Sequence, residues 1–150
     1  MTKKESVEQF LNSKCIAIIG VSSNPKTYSR MVYDAFCERG YNVLAVNPKL
    51  TEINGAKCYP TINSLPEAVD AVIIIIKGEK AKDILNDAIN KGFKNIWMHF
   101  GCNLKNPETI TMGKDINLIS GECAFMWLQP VEGFHKFHRF VKGLFSQEHR

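Results

Sequence analysis

The chain has 150 residues, of which 45% are hydrophobic and 23% are charged, and its formal net charge at pH 7 is +4. This length and composition predict a globular protein with one domain over residues 1–150. The basic residues are scattered and do not alternate with aromatic residues, which argues against a nucleic-acid-binding protein. The longest apolar run, Ala71–Ile76, is too short to span a bilayer, which argues against a membrane protein.

The cysteine pattern and the first residues favour an intracellular protein. The five cysteines, at positions 15, 37, 58, 102 and 123, are odd in number and include no Cys-x-x-Cys pair. That pattern favours neither a disulfide framework nor a zinc site. The start of the chain, Met1–Ser6, leads into a polar amphipathic segment and does not resemble a signal peptide. We therefore expect a cytoplasmic protein.

The spacing of apolar residues predicts strands that alternate with helices. We expect strands over Cys15–Gly20, Asn42–Val46, Asp70–Ile76, Asn95–Phe100 and Ile116–Ile119, with a weak strand at Lys57–Tyr59 inside a loop over Thr51–Ser64. We expect helices over Ser6–Ser13, Thr27–Arg39, Glu79–Lys91 and Pro107–Gly113, a helical turn over Ser64–Glu67 and a closing helix at Phe134–Val141. This order predicts an α/β fold with a three-layer, doubly wound, mostly parallel sheet of about five to six strands.

A glycine turn, Gly20–Pro25, ends the first predicted strand and precedes a predicted helix. Glycine lets the backbone turn tightly and lets a ligand approach it closely. The N–H groups and the dipole at the start of the helix favour an anion such as pyrophosphate. Ligands of open α/β sheets lie beyond the carboxyl ends of the strands, where the strand order reverses. We therefore expect a nucleotide-type small molecule between Gly20 and the end of Asp70–Ile76.

The residues around this turn distinguish between nucleotides. A dinucleotide site would read Gly-x-Gly-x-x-Gly and would place an acid near the end of the second strand. Here only the first glycine is present, and the second strand ends in Asn47-Pro48-Lys49. A lysine there suits a phosphate beside the ribose, which both NADP and coenzyme A carry. The pattern of a P-loop, Gly-x4-Gly-Lys-Ser/Thr, does not occur.

Several segments together resemble a known family. Gly20-x-Ser22-x-x-Pro25 is followed by Gly40-Tyr41-x-Val43 and by a strand that ends in Val46-Asn47-Pro48. With the segments over 55–70 and 92–97, this spacing resembles the CoA-binding domain family of small Rossmann-like proteins, over about Val7 to Met126. It is also similar to the CoA-binding domain of the succinyl-CoA synthetase alpha subunit. The resemblance implies that the cofactor is coenzyme A or an acyl-CoA.

The resemblance also assigns roles to residues. It implies that the turn cradles the pyrophosphate through backbone N–H and hydroxyl groups, with the residues Gly20, Val21, Ser22, Ser23 and Asn24. It implies that the end of the second strand meets the adenosine and its 3′-phosphate, with the residues Asn47, Pro48 and Lys49. In the family, the strand that corresponds to Asp70–Ile76 commonly ends in an apolar residue and a proline. Here that position is taken by Ile76, Lys77 and Gly78, which are expected to contact the ligand.

Three residues at the entrance of the helix after the turn, Lys26, Tyr28 and Arg30, are candidates for phosphate or adenine contacts and equally for ordinary surface residues.

His135 and His138 would share one helix face, and either His99 or Cys123 would have to complete a metal site there. An amphipathic tail explains the pair as well, so we predict no metal. Cys123 is a candidate thiol nucleophile, but an inert cysteine is favoured. His99 is a candidate acid or base, but packing is favoured.

Three functional hypotheses follow. The first is a protein that binds coenzyme A or an acyl-CoA, with no catalysis established. No sequence feature argues for ligase activity, because the related synthetases carry their phosphohistidine outside the nucleotide-binding domain. The second is a small NADP-dependent oxidoreductase, against which the missing glycines argue. The third is an interaction subunit that retains the fold without a ligand. The sequence leaves both a monomer and a homodimer open.

Overall fold

The structure is a computed structural model, and it describes residues 1–102 and 104–128. The strands are β1 (Ile16–Ile19), β2 (Val43–Val46), β3 (Glu52–Ile53), β4 (Ala56–Tyr59), β5 (Ala71–Ile74), β6 (Asn95–His99) and β7 (Asn117–Glu122). The α-helices are α1 (Lys3–Leu11), α2 (Tyr28–Glu38), α3 (Glu79–Lys91) and α4 (Pro107–Thr111). Short 3-10 turns lie at Ile62–Ser64, Phe100–Cys102 and Ala124–Met126. The predicted closing helix at Phe134–Val141 lies outside the described residues.

One seven-stranded sheet runs through the described residues in the order β3-β4-β2-β1-β5-β6-β7. Every neighbouring pair is parallel except β3 and β4. The chain builds β2 and then β4 on one side of β1, and it returns to place β5 on the other side. The connections that leave the carboxyl ends of β1 and β5 therefore run to opposite sides, which makes this the point where the strand order reverses. This arrangement confirms the predicted α/β fold with its mostly parallel sheet.

Helices cover both faces of the sheet. On one face α1 and α2 pack on Ile16 and Ile18 of β1, and on the other face α3 packs against Ala17 and Ile19. All four residues of β1 are fully buried, which is the reason for the continuous apolar run in the sequence. The layers confirm the three-layer prediction. Within the described ranges, no helix combines the length and the apolar character needed to cross a membrane.

The strand count is a correction, because the sheet has seven strands and the prediction had five to six. The additional strand, β3, lies inside the predicted loop and pairs with β4 through the turn Asn54-Gly55. Both turn residues have positive φ, 52° and 83°, as a type I′ hairpin turn requires. Asn-Gly is the strongest short hairpin signal in a sequence, so this strand was detectable.

Several boundaries also differ from the predictions, including the end of β7, which extends to Glu122 instead of Ile119. The helix predicted from Ser6 begins at Lys3, because Thr2 and Glu5 form a capping box. The predicted turn over Ser64–Glu67 lies instead at Ile62–Ser64, where Thr61 accepts a hydrogen bond from the Ser64 N–H. The β5 ladder ends at Ile74 rather than at Ile76.

Candidate functional site

Gly20 lies at the carboxyl end of β1 and is held against the backbone of β5. Its φ is +101°, and a Cβ atom at this position would lie 2.4 Å from the carbonyl oxygen of Ile75. Its N–H donates to the carbonyl of Val46 at 2.9 Å. Gly20 therefore continues the hydrogen bonding between β1 and β2 beyond the end of β1, and its N–H is already engaged within the protein.

The turn after Gly20 is built by its own side chains. The Ser22 N–H donates to the Ser29 hydroxyl at 3.1 Å, and the Asn24 N–H donates to the Ser22 hydroxyl at 3.0 Å. The Asn24 side chain in turn accepts the Lys26 N–H at 3.0 Å. Within the described ranges, the N–H groups of Val21 and Ser23 have no acceptor. Val21 is 0% exposed, whereas Ser23 is exposed, so of these two N–H groups the one of Ser23 is open to an anion.

Arg30 supports this turn from behind. Its side chain is 8% exposed, and its Nη1 donates to the carbonyl of Ser23 at 2.9 Å. Its Nη2 donates to the side chain of Asn54 at 2.8 Å, and its Nε pairs with Asp34 at 3.2 Å. The guanidinium thereby joins α2, the turn and the β3–β4 hairpin. Arg30, a candidate for a ligand contact and equally for a surface residue, is thus buried and supports the turn.

A cleft of about 540 Å³ lies at the carboxyl ends of β1 and β2. Four of the predicted residues line it, namely Gly20, Asn47, Pro48 and Ile76. Asn47 also ties the two strands together, because its side chain donates to the Val21 carbonyl at 2.7 Å and accepts the Lys49 N–H at 2.8 Å. The structure thus brings the ends of β1, β2 and β5 together around one cavity, as the position of the strand reversal requires.

The other walls of the cleft were not predicted as site residues. They come from the segment that leads into and includes the first 3-10 turn, Pro60–Asn63, and from one edge of α3, with Lys80, Asp83, Ile84 and Asp87. Lys80, Asp83 and Asp87 are spaced so that they share one helix face. That spacing was visible in the sequence, but only the packing of α3 against the sheet shows that this face reaches the cleft.

The remaining predicted residues do not line the cleft. Lys26, Lys49 and Lys77 are exposed. In the part of the chain that the structure describes, their ammonium groups form no ion pair within 4.0 Å. Gly78 begins α3, and its N–H donates to the carbonyl of Cys102 at 2.9 Å. The exposed lysines can still attract an anionic ligand over several ångströms, because the Debye length at physiological salt is about 8 Å.

Tyr28, the first residue of α2, faces the ends of β6 and β7 instead of the cleft. Its hydroxyl lies 2.9 Å from the Cys123 sulfur, and its ring contacts the His99 ring with centroids 4.2 Å apart. Burial raises the pKa of Tyr28 above its ordinary value, with the hydrogen bond to Cys123 as a second cause. The phenol therefore stays neutral. Tyr28 connects the start of α2 with the far half of the sheet.

His99 is 6% exposed, and its Nδ1 accepts the Gly101 N–H at 3.1 Å, so the neutral ring carries its proton on Nε2. No group of three or more His, Cys, Asp or Glu residues that could hold a metal ion occurs among the described residues. His135 and His138, which the sequence suggested as a metal-binding pair, lie outside the described residues.

We expect the stability of the protein to fall as the pH falls from about 6.5 to about 4. Burial lowers the pKa of His99 to about 4, whereas the unfolded imidazole has its ordinary value of 6.5. Between these values the unfolded chain binds a proton that the folded chain does not, which lowers the free energy of unfolding by up to about 3 kcal/mol. Urea unfolding across this range measures the loss. His99→Phe should show a shallower decrease, and equal decreases for both proteins would contradict the assignment.

Comparisons with known proteins agree with this geometry. A family model described as CoA binding domain matches residues 14–129. The uncharacterized protein YneT of Bacillus subtilis is 28% identical over 114 residues, which are 76% of this chain and 83% of that protein. The alpha subunit of an ADP-forming acetate–CoA ligase II of Pyrococcus furiosus is 32% identical over 91 residues. These are 60% of this chain but only 20% of the ligase subunit.

Solved structures show the same architecture. A conserved hypothetical protein from Pyrococcus furiosus superposes with a TM-score of 0.71 at 27% identity, over 77% of this chain and 99% of that chain. A protein from Thermus thermophilus superposes with a TM-score of 0.74 at 22% identity, over 91% of this chain and 98% of that chain. The second likeness shows the fold alone.

Proposed function

The chain belongs to the CoA binding domain family, and we propose that it binds coenzyme A or an acyl-CoA across the carboxyl ends of β2, β1 and β5. The observation that carries this proposal is the cleft of about 540 Å³ at the strand reversal, beside an anion-favouring turn. The mainly apolar cleft suits the flat adenine ring, and the turn with the start of α2 suits the pyrophosphate.

The residues of the turn determine how phosphate would be held. Gly20 and Ser22 use their N–H groups within the protein and Val21 is fully buried, which leaves the N–H of the exposed Ser23 to the ligand. Arg30 fixes Ser23 through its carbonyl, so this part of the turn is ordered before a ligand arrives. Such preorganisation lowers the entropic cost of binding. Lys26 and Lys49 are exposed on either side and add a positive field.

An NADP-dependent oxidoreductase receives less support. The turn has serine where a dinucleotide site has its second glycine, and the sequence supplies no acidic residue at the end of β2 for the ribose. Lys49 at that position suits the 3′-phosphate of coenzyme A or the 2′-phosphate of NADP. A non-denaturing mass spectrum of the purified protein tests the proposal directly. We expect a retained mass of coenzyme A or an acyl derivative, and a retained dinucleotide would favour the alternative.

Reversing the charge of Lys80 should weaken the binding of coenzyme A by on the order of tenfold. Coenzyme A is anionic, and Lys80 is the one positively charged side chain among the described residues that line the cleft. Calorimetric titration of Lys80→Glu measures the change, which should shrink at high salt. Lys82→Glu is the matched control, because Lys82 lies on the same helix and does not line the cleft. Equal losses for both variants would mean that Lys80 acts only through the net charge of the protein.

A further inference from the structure

A second cavity, of about 270 Å³, opens at the carboxyl ends of β6 and β7, away from the cleft. Its polar wall is formed by His99, Asn106, Glu108 and Ser120, and its apolar wall includes Met98 and Leu104. A liquid water molecule occupies about 30 Å³, so the cavity holds a group of about nine heavy atoms. The mixture of walls suits a short chain that carries a polar substituent.

A bulge in the sheet shapes this cavity. Met98 pairs with Ser120 but His99 pairs with Glu122, so Gly121 is an extra residue in β7. Gly121 has a φ of +76°, which glycine adopts without strain. Bulges of this kind redirect side chains and occur frequently beside functional sites. Ser120, directly before the bulge, donates its hydroxyl to Glu108 of α4 at 2.9 Å.

The cavity lies within reach of a ligand held at the turn. Along the sheet the order from the cleft is β1, β5, β6 and β7. Neighbouring strands are about 4.8 Å apart, so the ends of β1 and β7 are separated by about 14 Å. Tyr28 lies between the two places, because it begins α2 beside the turn and contacts the ring of His99 in the cavity wall. The long pantetheine arm of an acyl-CoA can follow this line.

We propose that this cavity is the acyl-group subsite of the protein, with a short, uncharged hydroxyacyl group as its preferred occupant. The proposal rests on the proposed function, because the adenosine and pyrophosphate must be held at the cleft and the turn. The Glu108 carboxylate and the Ser120 hydroxyl provide acceptors for the hydroxyl of the acyl chain. The same carboxylate repels an acyl group that ends in a carboxylate, which excludes the dicarboxylic acyl-CoA compounds.

Calorimetric titration of the whole protein with four ligands tests the subsite, namely coenzyme A, butyryl-CoA, 3-hydroxybutyryl-CoA and succinyl-CoA. We expect 3-hydroxybutyryl-CoA to bind about tenfold more tightly than coenzyme A, and succinyl-CoA to bind more weakly than butyryl-CoA. Ser120→Leu should fill the cavity, remove about tenfold of the affinity for the hydroxyacyl compound and leave that for coenzyme A within about twofold. Equal affinities of the wild type for all four ligands would overturn the subsite.

A second variant keeps the test decisive if Ser120→Leu does not fold. Glu108 is exposed, so Glu108→Gln should leave the fold intact and raise the affinity for succinyl-CoA several-fold. Glu67→Gln, an exposed control outside this cavity, should leave the ligand order unchanged. An unchanged ligand order in Glu108→Gln would overturn the role of the carboxylate and with it the proposed preference. If coenzyme A itself fails to bind the wild type, the proposed function fails first.

Discussion

Replacing Gly20 with alanine should destabilise the protein by about 3 kcal/mol, the largest loss that we expect from adding a single carbon atom. Two separate costs add at this position. A residue with a Cβ is strained at a φ of +101°, which costs about 1–2 kcal/mol. In addition, the new Cβ would lie 2.4 Å from the backbone oxygen of Ile75, and such overpacking costs about 1–3 kcal/mol.

Gly92 offers a matched control for this prediction. Its φ of +99° is almost the same, but no heavy atom lies within 4 Å of the position of its Cβ. Gly92→Ala should therefore lose only the part due to backbone strain, about 1–2 kcal/mol. Chemical denaturation followed by circular dichroism measures both losses. Equal losses would show that the contact between Gly20 and β5 contributes nothing beyond the dihedral angle.

Asn63→Trp should lower the affinity for coenzyme A by about a hundredfold or more, because the indole would occupy the space of the ligand. Asn63 is exposed, lies on the 3-10 turn at Ile62–Ser64 and lines the cleft. The hydrogen bonds that hold this turn come from Thr61 and Ser64, so the substitution leaves them in place. A loss of about 2.7 kcal/mol in binding corresponds to this factor.

Asn90→Trp is the control, since Asn90 is exposed on α3 and does not line the cleft. It should bind coenzyme A as the wild type does, and both variants should unfold at nearly the same denaturant concentration as the wild type. Titration calorimetry gives the affinities. Unchanged binding by Asn63→Trp would place the ligand elsewhere on the protein.

The sequence predicted the elements that bury a continuous or periodic apolar face. β1, β2, α2 and α3 occur where they were expected, because their hydrophobic patterns record burial directly. β3 was missed, since two residues are too few to carry a pattern and only its Asn-Gly turn marks it. The capping box of Thr2 and Glu5, which sets the start of α1, depends on hydrogen bonds that apolar periodicity does not report.

The candidate site was predictable in its position but less so in the roles of its residues. Strand ends at the reversal meet by topology, which brings Gly20, Asn47 and Ile76 to one cleft. Whether an N–H or a guanidinium points to a ligand depends on tertiary hydrogen bonds. Gly20 and Arg30 are engaged within the protein for that reason. The contribution of Lys80 depends on how α3 packs, which no local pattern contains.

A calorimetric titration of the wild-type protein with coenzyme A, and separately with NADP, tests the central claim most directly. The account predicts saturable binding of coenzyme A at one site per chain, with NADP binding at least about tenfold more weakly. The missing dinucleotide glycines are the reason for that order, since Lys49 suits the ribose phosphate of either ligand. No heat with coenzyme A up to about millimolar concentration, or tighter binding of NADP, would contradict it.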